Sequence, residues 1–232
     1  MMFPMKLRLF HYFFVFILLV SRSSFAQVTS AECGSLENAF GPFDYRVERG
    51  NNLHLVEIGH FTPAVEALIK GNAGYLGGDL DYTLRAFPNH HRALMSMMRY
   101  GERSKTPIPR DMRYSVECYF ERAIRFRPDD AISRMIYSMY LAKSGRSADA
   151  VRQLDVAAQG AEDKENAFTH YNLGLNYFDL KEYGKALAQA HKSYALGFIQ
   201  PALRDKLKEV GKWTDPEPAV DETAKPSTDI AK

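Results

Sequence analysis

Short helix-breaking segments interrupt this chain at frequent intervals, and they restrict the folds open to it more than any other feature. From about Thr62 to Trp213, apolar residues recur at spacings of three and four, and no long stretch alternates with a period of two. Between these periodic stretches lie segments such as NAGYLGG, TPIPRD, RPDD and KSGRS. Helical periodicity that is interrupted this often predicts an all-α fold built of helical hairpins. Such folds are often made of repeated units, so we first searched the sequence for an internal repeat.

The repeat is clearest in residues 167–198, AFTHYNLGLNYFDLKEYGKALAQAHKSYALGF. This segment resembles the tetratricopeptide repeat (TPR), a helix–turn–helix unit of about 34 residues. The match is carried by residues at the family's leucine, glycine, tyrosine, turn-aromatic and close-packing alanine positions: Leu173, Gly174, Tyr177, Tyr183 and Ala186. The segment departs from the family pattern at His170, Ala190, Ser193 and Phe198.

Two earlier segments are similar to the same repeat in fewer positions. Residues 131–165 place Gly145 at the turn between helices and Ala150 at the close-packing alanine. Before them, YSVECYFERAIRFRPDD matches a second helix that ends at Pro128, and HRALMSMMRYGERS matches its first helix. Successive units are offset by 40, 36 and about 34 residues, so the repeats are degenerate. The resemblance covers roughly residues 88–200 and implies an all-α, TPR-like solenoid of about three helical hairpins.

The ends of the chain are less regular. Residues 61–212 are predicted to form one TPR-like helical domain, in which the glycine-interrupted stretch before Pro88 is an incomplete, irregular N-terminal cap. Residues 27–60 are predicted to be an irregular lead-in. A closing helix from Leu203 is expected to lay Leu203, Leu207 and Val210 over the last repeat. Residues 213–232, rich in Pro, Thr and charge, are predicted to be a disordered tail.

Residues 1–26 have the layout of a cleavable secretory signal: a basic start, the apolar run FFVFILLV and a small-x-small exit at Ser24 and Ala26. The run is short for a membrane span, so no stable membrane insertion is expected after cleavage, although an uncleaved anchor is the alternative. Cleavage removes three basic residues and no acid, which changes the formal net charge from +2 to −1. A near-neutral domain lacks the basic field that nucleic-acid binding needs. These features predict a periplasmic or secreted protein with no nucleic-acid partner.

Both cysteines, Cys33 and Cys118, belong to the exported part of the chain. An oxidising compartment permits a disulfide between them. The alternative is two free thiols, with Cys118 buried on a helix, because sequence alone does not give the distance between them.

Histidines supply the main alternative function. HLVEIGH places His54, Glu57 and His60 at spacings of three, unlike the H-E-x-x-H zinc motif, and His90 and His91 could join them. Together they could assemble a zinc or copper site in a metal- or ligand-binding envelope protein or enzyme. The competing interpretation is a set of separate histidines with local hydrogen bonds.

The adjacent histidines also have an architectural interpretation. RAFPNHHRAL aligns with RFRPDDAISR, so that Pro88 falls on Pro128 and His90 on Asp130. We therefore expect His90 to cap a helix that begins at His91. Neighbouring side chains on a helix diverge by about 100°, so the two imidazoles are not expected to share one ion.

The first helices of the three units are expected to line a concave groove. Its residues would be Arg92, Met95, Arg99, Ile132, Met135, Met139, Phe168, Tyr171, Asn172, Leu175 and Phe178. Such a groove, apolar with a basic patch at one end, suits an amphipathic helix or an extended peptide. The alternative is that part of this set packs against neighbouring helices.

No nucleophile elbow or phosphate-binding loop occurs in the sequence. We therefore predict a scaffold or adaptor that binds a protein or peptide partner, with no catalytic residues, cofactor or resident metal. The sequence leaves the oligomeric state open.

Overall fold

The computed structural model describes residues 33–162 and 166–216, and within these ranges the chain forms ten helices and no strand. The predicted all-α fold is therefore confirmed. The helices are α1 (Asn51–His60), α2 (Pro63–Glu66), α3 (Leu76–Ala86), α4 (His91–Ser104), α5 (Val116–Phe126), α6 (Ala131–Lys143), α7 (Ser147–Glu162), α8 (Ala167–Asp179), α9 (Tyr183–Ala195) and α10 (Ala202–Glu209). The predicted signal, residues 1–26, and most of the predicted tail lie outside the described residues. Across the described ranges, no helix has both the length and the apolar character needed to cross a membrane.

The predicted irregular lead-in, residues 27–60, is wrong over its last ten residues, which form α1. Leu53 and Val56 are one helical turn apart and both are buried, so this short helix gains an apolar face by packing on α3. Only two buried apolar positions mark it, which is too little periodicity to recognise in the sequence. Residues 33–50 have no regular secondary structure, and we call them the N-terminal strap.

Helices α6 to α9 form two hairpins, α6 with α7 and α8 with α9. Each is joined by a three-residue turn that contains a left-handed residue, Gly145 in the first and Lys181 in the second. The first helices of successive hairpins also contact each other, because α4 packs on α6 and α6 packs on α8. Three helices thereby lie side by side, and their shared face is the setting of the candidate site.

Helices α4, α6 and α8 all begin with the same kind of side-chain N-cap. The capping residues are His90, Asp130 and Asn166, and each side chain accepts a hydrogen bond from the backbone amide three residues on, at 3.2, 3.1 and 3.0 Å. They are 40 and 36 residues apart, the offsets predicted from the sequence. The expected cap at His90, with α4 beginning at His91, is confirmed.

Helix α10 closes the C-terminal end as predicted, with Leu203 and Leu207 fully buried. A Cβ atom added to Gly174 would lie 2.4 Å from Leu203 Cδ2, so α10 can approach α8 this closely only over a glycine. Val210 does not join them. It follows the last helical residue and remains 39% exposed, which corrects its predicted place over the last repeat.

The N-terminal strap is tied to α5. Cys33 and Cys118 form a disulfide with their Cα atoms 5.0 Å apart, which resolves the question that the sequence left open. Beside it, the buried Arg122 donates from Nη1 to the carbonyls of Cys33 and Ser35 at 3.0 and 2.6 Å. Burial lowers the pKa of Arg122, and these carbonyls partly replace its lost hydration.

Candidate binding groove

A cavity of about 290 Å³ opens where α4, α6 and α8 lie side by side. We call it the groove. Its lining is mainly aliphatic and thioether side chains, with polar groups at the two flanks. The lining residues are His91, Arg92, Met95, Ile132, Met135, Ile136, Met139, Phe168, Asn172 and Asn176.

The structure brings most of the predicted groove residues together. Arg92 and Met95 come from α4, Met135 and Met139 from α6, and Phe168 and Asn172 from α8; Ile132 also lines the cavity as expected. Sequence reasoning missed His91, Ile136 and Asn176 as lining residues. Phe168 is the most exposed of the apolar residues in the lining, at 56% of its surface.

Four residues predicted for the groove do not line it, and three of them lie on α8. Tyr171 is buried, with its ring 4.9 Å from that of Phe198. Leu175 packs into the core beneath, and the ring of Phe178 lies 5.3 Å from that of Tyr183.

These three errors have one cause, which is the rotation of α8 about its own axis. Its groove positions are Phe168, Asn172 and Asn176, each four residues from the last, so the helix is rotated by about one residue from the predicted phase. The two asparagines are the signal in the sequence: amides spaced by four in an otherwise apolar helix mark the face that is not in the core.

The fourth error is Arg99, which the prediction placed in a basic patch. Arg99 Nη2 is held by Ser96 Oγ at 3.2 Å and by the Glu66 carbonyl at 3.5 Å, away from the cavity. Arg92 is itself neutralised, because it forms a two-pronged ion pair with Glu66 and a further pair with Glu57 at 3.2 Å. Hydrogen bonds from Arg92 hold the pKa of Glu66 below its ordinary value. The predicted basic end of the groove is therefore close to neutral.

The asparagines present oxygen acceptors to the groove. Asn172 Nδ2 donates to the Phe168 carbonyl and Asn176 Nδ2 to the Asn172 carbonyl, both at 2.8 Å, which fixes the two amides along the helix. Within residues 33–162 and 166–216, no side chain donates to either Oδ1. A ligand with amide or hydroxyl donors could satisfy both oxygens, one helical turn apart.

The histidines predicted to form an alternative metal site do not share a common ligand position, and those with partners contact different carboxylates. His60 Nδ1 contacts Asp79 Oδ1 at 2.9 Å, His90 Nε2 contacts Glu57 Oε1 at 3.2 Å, and His54 is exposed. His91 Nε2 contacts both oxygens of Asp130, at 2.9 and 3.0 Å. In the described part of the chain, no three His, Cys, Asp or Glu side chains are grouped so that they could hold a metal ion. The single five-residue cluster drawn from the sequence is not formed.

His90 is a buried structural histidine. Its Nδ1 accepts from the Ala93 amide, so the proton of the neutral ring is on Nε2 and is donated to Glu57. The ring stacks on Tyr45 with centroids 4.1 Å apart. Burial lowers the pKa of His90 more than the hydrogen bond to Glu57 raises it, so the capping form of the ring is the favoured one.

Asp130 connects the groove to the N-terminal strap. Besides His91, this buried carboxylate accepts from Asn89 Nδ2 at 2.9 Å, and Asn89 Oδ1 in turn accepts from the Tyr45 amide at 3.0 Å. Burial acts to raise the pKa of Asp130, but the hydrogen bond and charge of His91 and the amide donors lower it overall. The result is a buried, ionised carboxylate that contacts His91 at the α4 side of the groove.

No protein-family model matches the chain, and no curated protein is significantly similar to it.

Proposed function

We propose that this protein is an exported, TPR-like scaffold that binds a segment of a partner protein in the groove, without making or breaking a bond. The observation that carries the proposal is the groove itself: an open, largely apolar cavity formed jointly by the first helices of three successive units. Support for the TPR-like assignment comes from the repeated capping residues at offsets of 40 and 36 and from the helical-hairpin packing.

The lining determines the kind of segment that would bind. Three methionines and two isoleucines offer adaptable apolar contact, and Phe168 adds a half-exposed aromatic ring at the edge. The Oδ1 atoms of Asn172 and Asn176 require donors on the ligand. An amphipathic helix with two or three large apolar side chains on one face, flanked by a Ser, Thr, Asn or Gln, satisfies both requirements.

Export is supported by the disulfide as well as by the N-terminal sequence pattern. Disulfides persist in oxidising compartments and are rare in reduced ones, and the bond between Cys33 and Cys118 is enclosed, with both residues buried. A periplasmic or secreted location fits this chemistry.

The test is selection from a random peptide library displayed on phage, with the oxidised protein as bait. Enriched peptides are then titrated calorimetrically against the wild type and against Phe168→Asp, which places a charge on the groove rim. We expect enriched sequences with apolar residues spaced by three and four, a negative heat-capacity change on binding and at least about a tenfold loss of affinity in Phe168→Asp.

Val156→Asp is the matched control, because Val156 is a similarly exposed apolar residue on α7, outside the groove. Its affinity for the peptides should stay within about twofold of the wild type. The proposal fails if the selected peptides bind Phe168→Asp and the wild type equally well.

A further inference from the structure

The lining of the groove is rich in side chains that can bind soft metal ions. Three of its lining side chains are methionines, and a histidine joins them: Met95, Met135, Met139 and His91. Thioether sulfur is a soft ligand that selects Cu(I), and imidazole is also a good ligand for copper. No Asp or Glu side chain lines the cavity.

Helix geometry places these four donors in two pairs on facing surfaces. His91 and Met95 are four residues apart on α4, and Met135 and Met139 are four residues apart on α6, so each pair occupies one face of its helix. Because α4 packs directly on α6, the pairs border the same cavity from two sides. Met135 is only 5% exposed, and Met95, Met139 and His91 are half-buried, so all four donors are at least partly shielded from water.

His91 already has a carboxylate partner of the kind that metal-binding histidines have. Its Nε2 points to the carboxylate of Asp130, which leaves Nδ1 as the lone-pair nitrogen of the neutral ring. A carboxylate behind a ligating imidazole fixes the tautomer and increases the basicity of the other nitrogen. Asp130 is itself held by Asn89 and by the Ser133 amide, so the orientation of His91 does not depend on a ligand being present.

We propose that the floor of the groove is a binding site for Cu(I), with the thioethers of Met95, Met135 and Met139 and Nδ1 of His91 as ligands and Asp130 as the positioning carboxylate. Zinc, magnesium and calcium prefer nitrogen, thiolate or oxygen donors and would gain little from three thioethers. The site is distinct from the His54, Glu57, His60 and His90 set, none of which lines the cavity. It does not depend on the proposed peptide binding, and either property can hold without the other.

The test is an anaerobic titration of the oxidised full chain with Cu(I) held by bicinchoninate, whose colour is lost as the protein takes the metal. We expect one equivalent of Cu(I) to transfer. Met135→Leu, or the triple leucine variant of the three methionines, should weaken binding by at least about tenfold, since leucine nearly conserves volume but removes the sulfur. Asp130→Asn keeps a helix-capping side chain and should weaken binding by about 10- to 100-fold.

Met97→Leu is the matched control, because Met97 is a buried methionine on the same helix that does not line the cavity. It should bind Cu(I) like the wild type. In ¹³C-methyl methionine spectra, the redox-inert analogue Ag(I) should shift the methyl signals of Met95, Met135 and Met139 and leave those of Met97 and Met98 unchanged.

Two results would overturn the proposal: no transfer of Cu(I) from bicinchoninate to a protein whose circular dichroism shows it to be folded, or equal transfer to the triple leucine variant. No peptide is present in these titrations, so their outcome is separate from that of the phage selection.

Discussion

Removing the disulfide between Cys33 and Cys118 should cost this protein a large part of its stability. The bond joins residues 85 apart in the sequence. Closing a loop of this length in the unfolded chain removes conformational entropy worth about 4.5 kcal/mol at 25 °C, and a domain of ordinary stability has about 5–15 kcal/mol in total. We therefore expect the Cys33→Ala, Cys118→Ala double variant to be folded only marginally at 25 °C.

Urea unfolding followed by circular dichroism measures the effect. With an m-value of about 2 kcal/mol/M, the loss corresponds to a midpoint lower by about 2 M urea. Adding a reductant should shift the wild type to the midpoint of the double variant and leave the double variant unchanged, which separates loss of the bond from loss of the cysteine side chains.

The part of the chain that loses stability is a second readout. The covalent loop contains α1 to α4 and the start of α5, whereas α8 and α9 lie outside it. Amide hydrogen exchange should therefore accelerate more in α3 and α4 than in α8 and α9. A midpoint shift below about 0.5 M, or a uniform loss of protection along the chain, would refute the loop-closure reasoning.

Three further effects follow from the structure. Gly77→Ala should destabilise the fold by about 1–3 kcal/mol in thermal unfolding, because its Cβ would lie 2.0 Å from the Arg110 carbonyl oxygen. Gly78→Ala, whose Cβ would have its nearest neighbour at 3.6 Å, should stabilise the fold by up to about 1 kcal/mol. A change of the same sign in both variants would contradict the packing argument. The free energy of unfolding should fall as pH drops below about 6.5, because burial keeps the pKa of His90 under its ordinary value and the unfolded chain takes up the proton first. His90→Asn, which keeps a capping side chain, should flatten this slope below about pH 6.5. Below about pH 4.5 a second loss should begin, because the hydrogen bond from His90 lowers the pKa of Glu57 in the folded protein and the unfolded chain is therefore protonated first. Glu57→Gln should reduce this acid-induced loss in urea midpoints measured against pH.

The helix boundaries were the most predictable part of the fold. The alignment of His90 with Asp130 depends on local chemistry, a proline that ends one helix and a polar side chain that caps the next, and such signals are complete within a few residues of sequence. The same locality explains why α1 was missed. Its stability depends on burying Leu53 and Val56 against α3, which is a tertiary contact.

The sequence predicted which helices form the groove, but it did not predict which face of α8 lines it. On α4 and α6 the lining positions Met95, Met135 and Met139 were assigned correctly from the repeat alignment. On α8 the same alignment predicts Tyr171 and Phe178 in the groove, yet both rings pack against neighbouring aromatic side chains. One residue of helical phase is about 100°, enough to exchange a groove position for a core position. The ion pair between Arg92 and Glu66 spans 26 residues and could not be inferred from local pattern at all.

The disulfide also means that the two outer walls of the groove are held in the fold in different ways. One wall, α4, belongs to a covalently closed ring of chain that the N-terminal strap completes. The opposite wall, α8, lies outside this ring and is held by packing on α6, α7 and α9 and by the hydrogen bond from Tyr177 Oη to Asp155 Oδ1 at 2.8 Å. Because only α4 belongs to the closed ring, we expect a ligand that needs a wider groove to displace the α8–α9 hairpin and not α4. If the groove binds a partner segment as we propose, segments of different width would then be accommodated at Phe168 and the two asparagines, on the α8 side.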